Sequence, residues 1–217
     1  MLPSDYRIRI MRTEDFPAIT AICGKVYPGE TPYTSEELGA HQRLFPQGQF
    51  VAEHIATHSV AGVHFTLRLS MRDFHVDDSW DVLTAKGSFA DHNPIGHSLY
   101  GADIMVAPDH QHHGIAHGLT DAMLELVRAE KLWRAVGASR LPGYHARRDE
   151  MDAKTYVQGV ISGAWSDPVL TVHLKDGWRV VRPIFGYLPY DDESAGWAAV
   201  IQAVNSQCPP PPELELH

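Results

Sequence analysis

Cysteine is nearly absent from this chain of 217 residues: Cys23 and Cys208 are the only two. Two thiols, one in an expected helix and one in a proline-rich tail, exclude a disulfide framework and give no zinc-ligand spacing. Long hydrophobic runs are also missing, since no stretch approaches the roughly 20 apolar residues of a membrane span. The opening Met1-Leu2-Pro3-Ser4-Asp5-Tyr6 lacks the basic and apolar regions of a signal peptide, so the expectation is a cytoplasmic protein away from membranes. Positive charge is scarce as well: 18 Lys and Arg stand against 27 Asp and Glu, a net charge of −9. A chain so charged has no basic field with which to coat nucleic acid. Any anionic ligand must be gripped locally, by backbone N–H groups.

What is present is a hydrophobic content of 44%, sufficient at this length for one domain with a substantial core. The most informative stretch runs from Ser98 to Glu130. Ser98 to Val106 has the β-branched and apolar content of an inner strand, and Ala107-Pro108-Asp109-His110 stops it. Gln111-His112-His113-Gly114-Ile115-Ala116 then opens a helix in which Ile115, Leu119, Met123, Leu126 and Val127 recur at helical spacing. A helix start carries orphan N–H groups and about half a positive charge, which suits a phosphate or pyrophosphate. Gly114 lets a ligand approach the backbone, and Ala116 leaves room beside it.

Upstream, Tyr6 to Met11 alternates as a half-buried strand, and Phe16, Ile19, Ile22, Cys23 and Val26 form a helical stripe ended by Pro28-Gly29. Thr34 or Ser35 caps a second helix through about Leu44, and Gln49 to Ile55 with Val60 to Leu69 reads as a hairpin. Ser70 to His97 is irregular and long for a mere connection, either a cover over a pocket or a solvated insertion. Downstream, Arg134 to Leu141 fits a strand parallel to the central one, with helices over Asp149 to Ile161 and from Asp167-Pro168 to Gly177. Trp178 to Phe185 and Gly196 to Ile201 supply the last strands.

The spacing Gln-x-x-Gly-x-Ala after a strand that ends near a proline resembles the signature of the GNAT N-acetyltransferases, and the order of elements from about Arg7 to Asn205 is similar to that family's. More narrowly, Leu99 to Ile104, Arg140 to Tyr144, Asp167 to Leu170 and Leu188 to Ser194 resemble GNAT domains that occur fused to carbon–nitrogen hydrolases. The resemblance implies an α/β fold, the acyl-CoA N-acyltransferase type, with a mixed and mostly antiparallel sheet of about seven strands and about four helices. One domain over 1–205 and a flexible tail over 206–217 follow. It implies acetyl-CoA as cosubstrate, with the main chain at Ile104, Met105 and Val106 along the pantetheine arm and Gln111, His112, His113, Gly114, Ile115 and Ala116 around the pyrophosphate. It further implies a primary amine as acceptor, on a small molecule or a protein lysine, and the expectation is a monomer or homodimer.

Direct acyl transfer needs a neutral amine, a polarised thioester and a proton for the departing sulfur. Many GNATs place a Tyr four residues before the Gly that precedes the penultimate strand; counting back from Gly177, that position is His173. A histidine near its ordinary pKa can supply the proton, while the alternative is a helix-end residue favoured by the dipole. Tyr144 and Tyr156 are fallback acids. Asp103 is the carboxylate inside the central strand and a candidate base, although strict alternation sets it on the face opposite Ala102 and Ile104. His97 and Glu53 are weaker candidates. Two competing readings remain: a GNAT-fold binding module without turnover, and a metal-dependent hydrolase built on the cluster His110, His112, His113 and His117, in which His113 and His117 are spaced i, i+4.

Overall fold

A computed structural model describes residues 2–70 and 74–211. The chain runs β1 (Tyr6–Ile10), α1 (Phe16–Val26), α2 (Ser35–Leu44), β2 (Gln49–His54), β3 (Val60–Leu69), α3 (Trp80–Leu83), β4 (Ser98–Val106), α4 (Ile115–Ala129), β5 (Arg134–Arg140), α5 (Ala153–Ser162), α6 (Leu170–Lys175), β6 (Arg179–Phe185) and β7 (Trp197–Val204). The seven expected strands are present. Six α-helices are present among the described residues; the one with no counterpart in the sequence reading is α3, a single turn in the irregular stretch after β3.

Local chemistry sets the helix ends. Thr34 and Glu37 cap α2 reciprocally: the Thr34 hydroxyl accepts from the Glu37 N–H at 3.2 Å, and the Glu37 carboxylate accepts from the Thr34 N–H at 2.8 Å. α5 begins at Ala153 rather than at Asp149, because the Asp152 carboxylate accepts from the Thr155 N–H at 2.7 Å and so marks the cap. The expected tail at 206–217 lies outside the described residues from 212 onward. Among the described residues, no helix is long and apolar enough to cross a membrane.

The strands form one sheet in the order β1-β2-β3-β4-β5-β7-β6, antiparallel except between β4 and β5. Phe16, Ile19 and Ile22 of α1 and Leu38 of α2 cover one face, over Val51, Val63, Phe65 and Met105. Ile115, Leu119, Met123 and Val127 of α4 cover the other, over Phe50, Leu99 and Ala135. Burial of these apolar side chains is the main drive for the three layers.

Two irregularities shape the centre. β4 and β5 pair only over Ser98–Tyr100 with Arg134–Val136, so they part beyond Tyr100 and leave the β5-facing edge of residues 101–106 outside the ladder. β4 also carries a bulge: Phe65 pairs with Asp103 and the next residue, Thr66, with Gly101, so Ala102 is the extra residue. The bulge corrects the strict alternation expected from sequence. Tyr100, Ala102 and Met105 all belong to the α1 side, and Asp103 is turned toward α1 with them.

Candidate active site

The gap between β4 and β5 is a cavity of about 260 Å³. Gly101 and Ile104 line it from β4, Gly137 and Ala138 from β5, with Met123 and His173 above. Side chains at the two glycines would narrow it, since a Cβ on Gly101 would lie 3.1 Å from His64 Nε2 and one on Gly137 3.4 Å from the Gly101 carbonyl. A second cavity of about 400 Å³ lies on the α1 and α2 side, walled by Tyr27, Tyr33, Trp80 and Tyr190. Tyr27, Asp103, Arg140 and Leu188 line both, so the two spaces meet at Asp103.

Beyond Val106 the chain makes a 3-10 turn over Pro108–His110 and enters α4 through two left-handed residues, His112 at φ 63° and Gly114 at φ 71°. Gln111, His112, His113 and Gly114 are exposed, and the first amides of α4 follow directly. The Tyr6 hydroxyl and His110 Nδ1, 2.9 Å apart, tie this turn to β1. The slot thus runs along the unpaired edge of β4 to a carboxylate at a second cavity, and the same strand leads along the chain into the exposed turn at the start of α4.

The fold is similar to that of the GphF GNAT-like decarboxylase in complex with isobutyryl-CoA: TM-score 0.75, 26% identity, 91% of this chain and 98% of that one. No family model matches the sequence. The uncharacterized N-acetyltransferase YkwB of Bacillus subtilis (strain 168) is 31% identical over 179 residues, covering 82% of this chain and 78% of YkwB. The chain belongs to the GNAT N-acetyltransferase family. The probable hydrolase YhcX of the same organism is also 31% identical over 195 residues, 90% of this chain, which spans only 38% of the length of YhcX.

In this GNAT chain Asp103 is deep yet open to both cavities. Its Oδ1 accepts from the Tyr27 hydroxyl at 2.8 Å and its Oδ2 from the Tyr33 hydroxyl at 3.2 Å. Burial pushes its carboxyl up to about 6, against the opposing pull of the two tyrosine hydrogen bonds. His173 lines the inner cavity with Nδ1 3.2 Å from Ser139 Oγ. Burial holds its imidazole down at about 4, so the expectation of an ordinary histidine pKa is corrected: at neutral pH this ring is uncharged. His64 is likewise pushed down to about 4 by burial, with Nδ1 3.4 Å from the Leu119 carbonyl.

The remaining sequence candidates fall elsewhere. Tyr144 is packed in the α4-side core with its hydroxyl donating to the Met151 carbonyl at 3.3 Å, and Tyr156 donates to Asp167 at 2.8 Å; neither lines a cavity. His97 is exposed away from both cavities, its carbonyl accepting from the Trp133 N–H at 3.0 Å. Glu53 sits at the other end of the sheet with Arg7, Arg9 and His58 around it, and the Arg9 guanidinium holds its carboxyl down at about 2, which rules out a base at neutral pH. Met105 turns its side chain into the core, leaving only its main chain to the slot. His117 lies 2.7 Å from Asp176 and 3.2 Å from Asp121 rather than joining His113. Among the described residues, no three His, Cys, Asp or Glu side chains gather as metal ligands.

Tyr27, Tyr33, Trp80, Ser139 and His64 are site residues that sequence reasoning missed. Tyr27, between an apolar helix and Pro28-Gly29, carries a weak signal, a large residue held at a helix end. The others acquire their positions only through tertiary packing.

Proposed function

We propose that this protein transfers an acetyl group from acetyl-CoA directly to a primary amine. The observation that carries this reading is the parting of β4 and β5, which opens a slot along β4 that ends at the carboxylate of Asp103. The amides at the start of α4, reached over the left-handed Gly114, bind the pyrophosphate. The free edge of β4 at Ile104 and Val106 pairs with the pantetheine arm and offers an N–H to the thioester oxygen, where negative charge develops. Asp103, ionised above about pH 6, accepts the proton from the attacking amine, directly or through a water, while the Tyr27 and Tyr33 hydroxyls hold its oxygens in place. The new C–N bond forms as the C–S bond breaks. The uncharged His173, oriented by Ser139, donates an N–H to the departing sulfur.

The test is a thermal shift with acetyl-CoA followed by thiol release with an amine panel. A ligand at 100 times its Kd stabilises the fold by about 2.7 kcal/mol. Asp103→Asn should keep that shift and lose the acidic limb of the pH–rate profile near 6. No shift with acetyl-CoA overturns the proposal, and a shift without thiol release from any amine leaves a binding module. A second reading, decarboxylation of a 2-carboxyacyl-CoA, is favoured by the likeness to GphF together with the buried His173–Ser139 pair in the slot. Carbon dioxide release in the absence of any amine distinguishes it.

A further inference from the structure

The outer cavity carries more negative charge than its own walls neutralise. Asp103 closes its inner end with two tyrosine hydroxyls as its side-chain hydrogen-bond partners; among the described residues no Lys or Arg pairs with it. Glu30 and Glu37 stand in the same lining. Arg140, at the junction, is already engaged: its Nε and Nη2 donate to the Asp191 carboxylate at 2.7 and 2.6 Å, and Nη2 also to Glu193 at 3.1 Å. Lys86, the other cation of the lining, is exposed, as is Glu30 at the cavity's outer end. Between these charges the walls are the rings of Tyr27, Tyr33, Trp80 and Tyr190, whose faces attract cations.

We propose that this cavity takes a small aliphatic diamine, one amine at Asp103 and the second, as an ammonium, at Glu30. The proposal rests on the acyl-transfer reading of the same site and names the acceptor class that reading leaves open. A space of about 400 Å³ holds a short alkyl chain with water to spare. The aromatic walls cover its methylenes, while a carboxylate at Asp103 and another at Glu30 meet its two ends. An amino acid would bring a further anion into a lining whose guanidinium is taken by Asp191 and Glu193. A monoamine would leave Glu30 only the field of Arg140, whose guanidinium is already engaged by Asp191 and Glu193.

The experiment is calorimetric titration of the full chain with 1,4-diaminobutane, butylamine, ornithine and a lysine-containing peptide, each with and without saturating CoA, followed by kcat/KM for each as acceptor. The expected result is binding of the diamine at least about threefold tighter than butylamine, the size of a partly exposed charge pair. Ornithine and the peptide should be weaker still. Glu30→Gln should lower diamine affinity more than butylamine affinity, and Asp103→Asn should weaken both by about tenfold or more. Equal affinity for diamine and monoamine, or preference for ornithine or the peptide, overturns the proposal. Diamine binding without CoA uptake refutes acetyl transfer and leaves the diamine site standing; CoA uptake without diamine preference does the reverse.

Discussion

Asp103 and His173 are shifted in opposite directions by the same cause. Each is deep in the protein, and burial penalises whichever form is charged: the carboxylate of Asp103 and the imidazolium of His173. Their consequences for folding are therefore distinct. Between about pH 4 and 6.5 the unfolded chain protonates His173 and the folded chain resists, so this residue makes stability rise with pH through that window and adds no slope above it. His173→Phe removes the titrating group. The variant should lose less stability than the parent between pH 7 and pH 4.5, by about 2 kcal/mol, as read from urea midpoints. His64, pushed down similarly, keeps part of the slope in the variant. None of this was legible in the sequence, where a histidine near a helix end reads as an exposed residue; depth, not neighbours along the chain, sets its proton affinity.

At the scale of elements, strand, turn and helix from Ser98 to Ala129 were readable because the signals are local: apolar content, a proline stop, a glycine and a 3.6-residue stripe. The bulge at Ala102 was not. It arises from how β3 and β4 register against each other, a pairing between residues some 40 positions apart, for instance Phe65 with Asp103. The start of α5 was missed by four residues because a run of Asp and Glu before it offers several caps, and tertiary contacts choose Asp152. The turn into α4 carries its own prediction. Gly114 is left-handed, so Gly114→Val strains the backbone by about 1 kcal/mol or more and puts a branched side chain at the helix entrance. Acetyl-CoA affinity should fall at least about tenfold by calorimetry, a loss of about 1.4 kcal/mol, while affinity for an amine at the outer cavity is retained.

For the molecule as a whole, the charge balance and the fold point to the same mode of ligand capture. A protein of net charge −9 repels a polyphosphate at long range, and the turn from Gln111 to Gly118 contains no Lys or Arg. On the proposed reading neutral amides do the gripping, so few counterions would be displaced on binding. The Kd for CoA should change by less than about threefold between 0.02 and 0.2 M salt, and in the direction of tighter binding as screening weakens the repulsion. A steep weakening with salt would reveal a cationic grip elsewhere on the surface.

The described part of the connection between β3 and β4 walls the outer cavity and is fastened at several points, with Leu83 and Phe89 in the core. Trp80 is fastened through its indole N–H to the Ala102 carbonyl at 2.9 Å and its main chain to the Tyr187 carbonyl at 3.0 Å. The Gly87 carbonyl meets His41 Nε2 at 2.7 Å, and Asn93 donates to the Arg68 carbonyl at 2.9 Å. Of these anchors only the Ala102 carbonyl belongs to the part of β4 beyond its pairing with β5, and none belongs to the turn at Gly114. On the proposed reading a handle and a glove are thus largely separate: loops of other length or chemistry, hung on the same pegs, would recast which molecule is received and leave the grip on its donor in place.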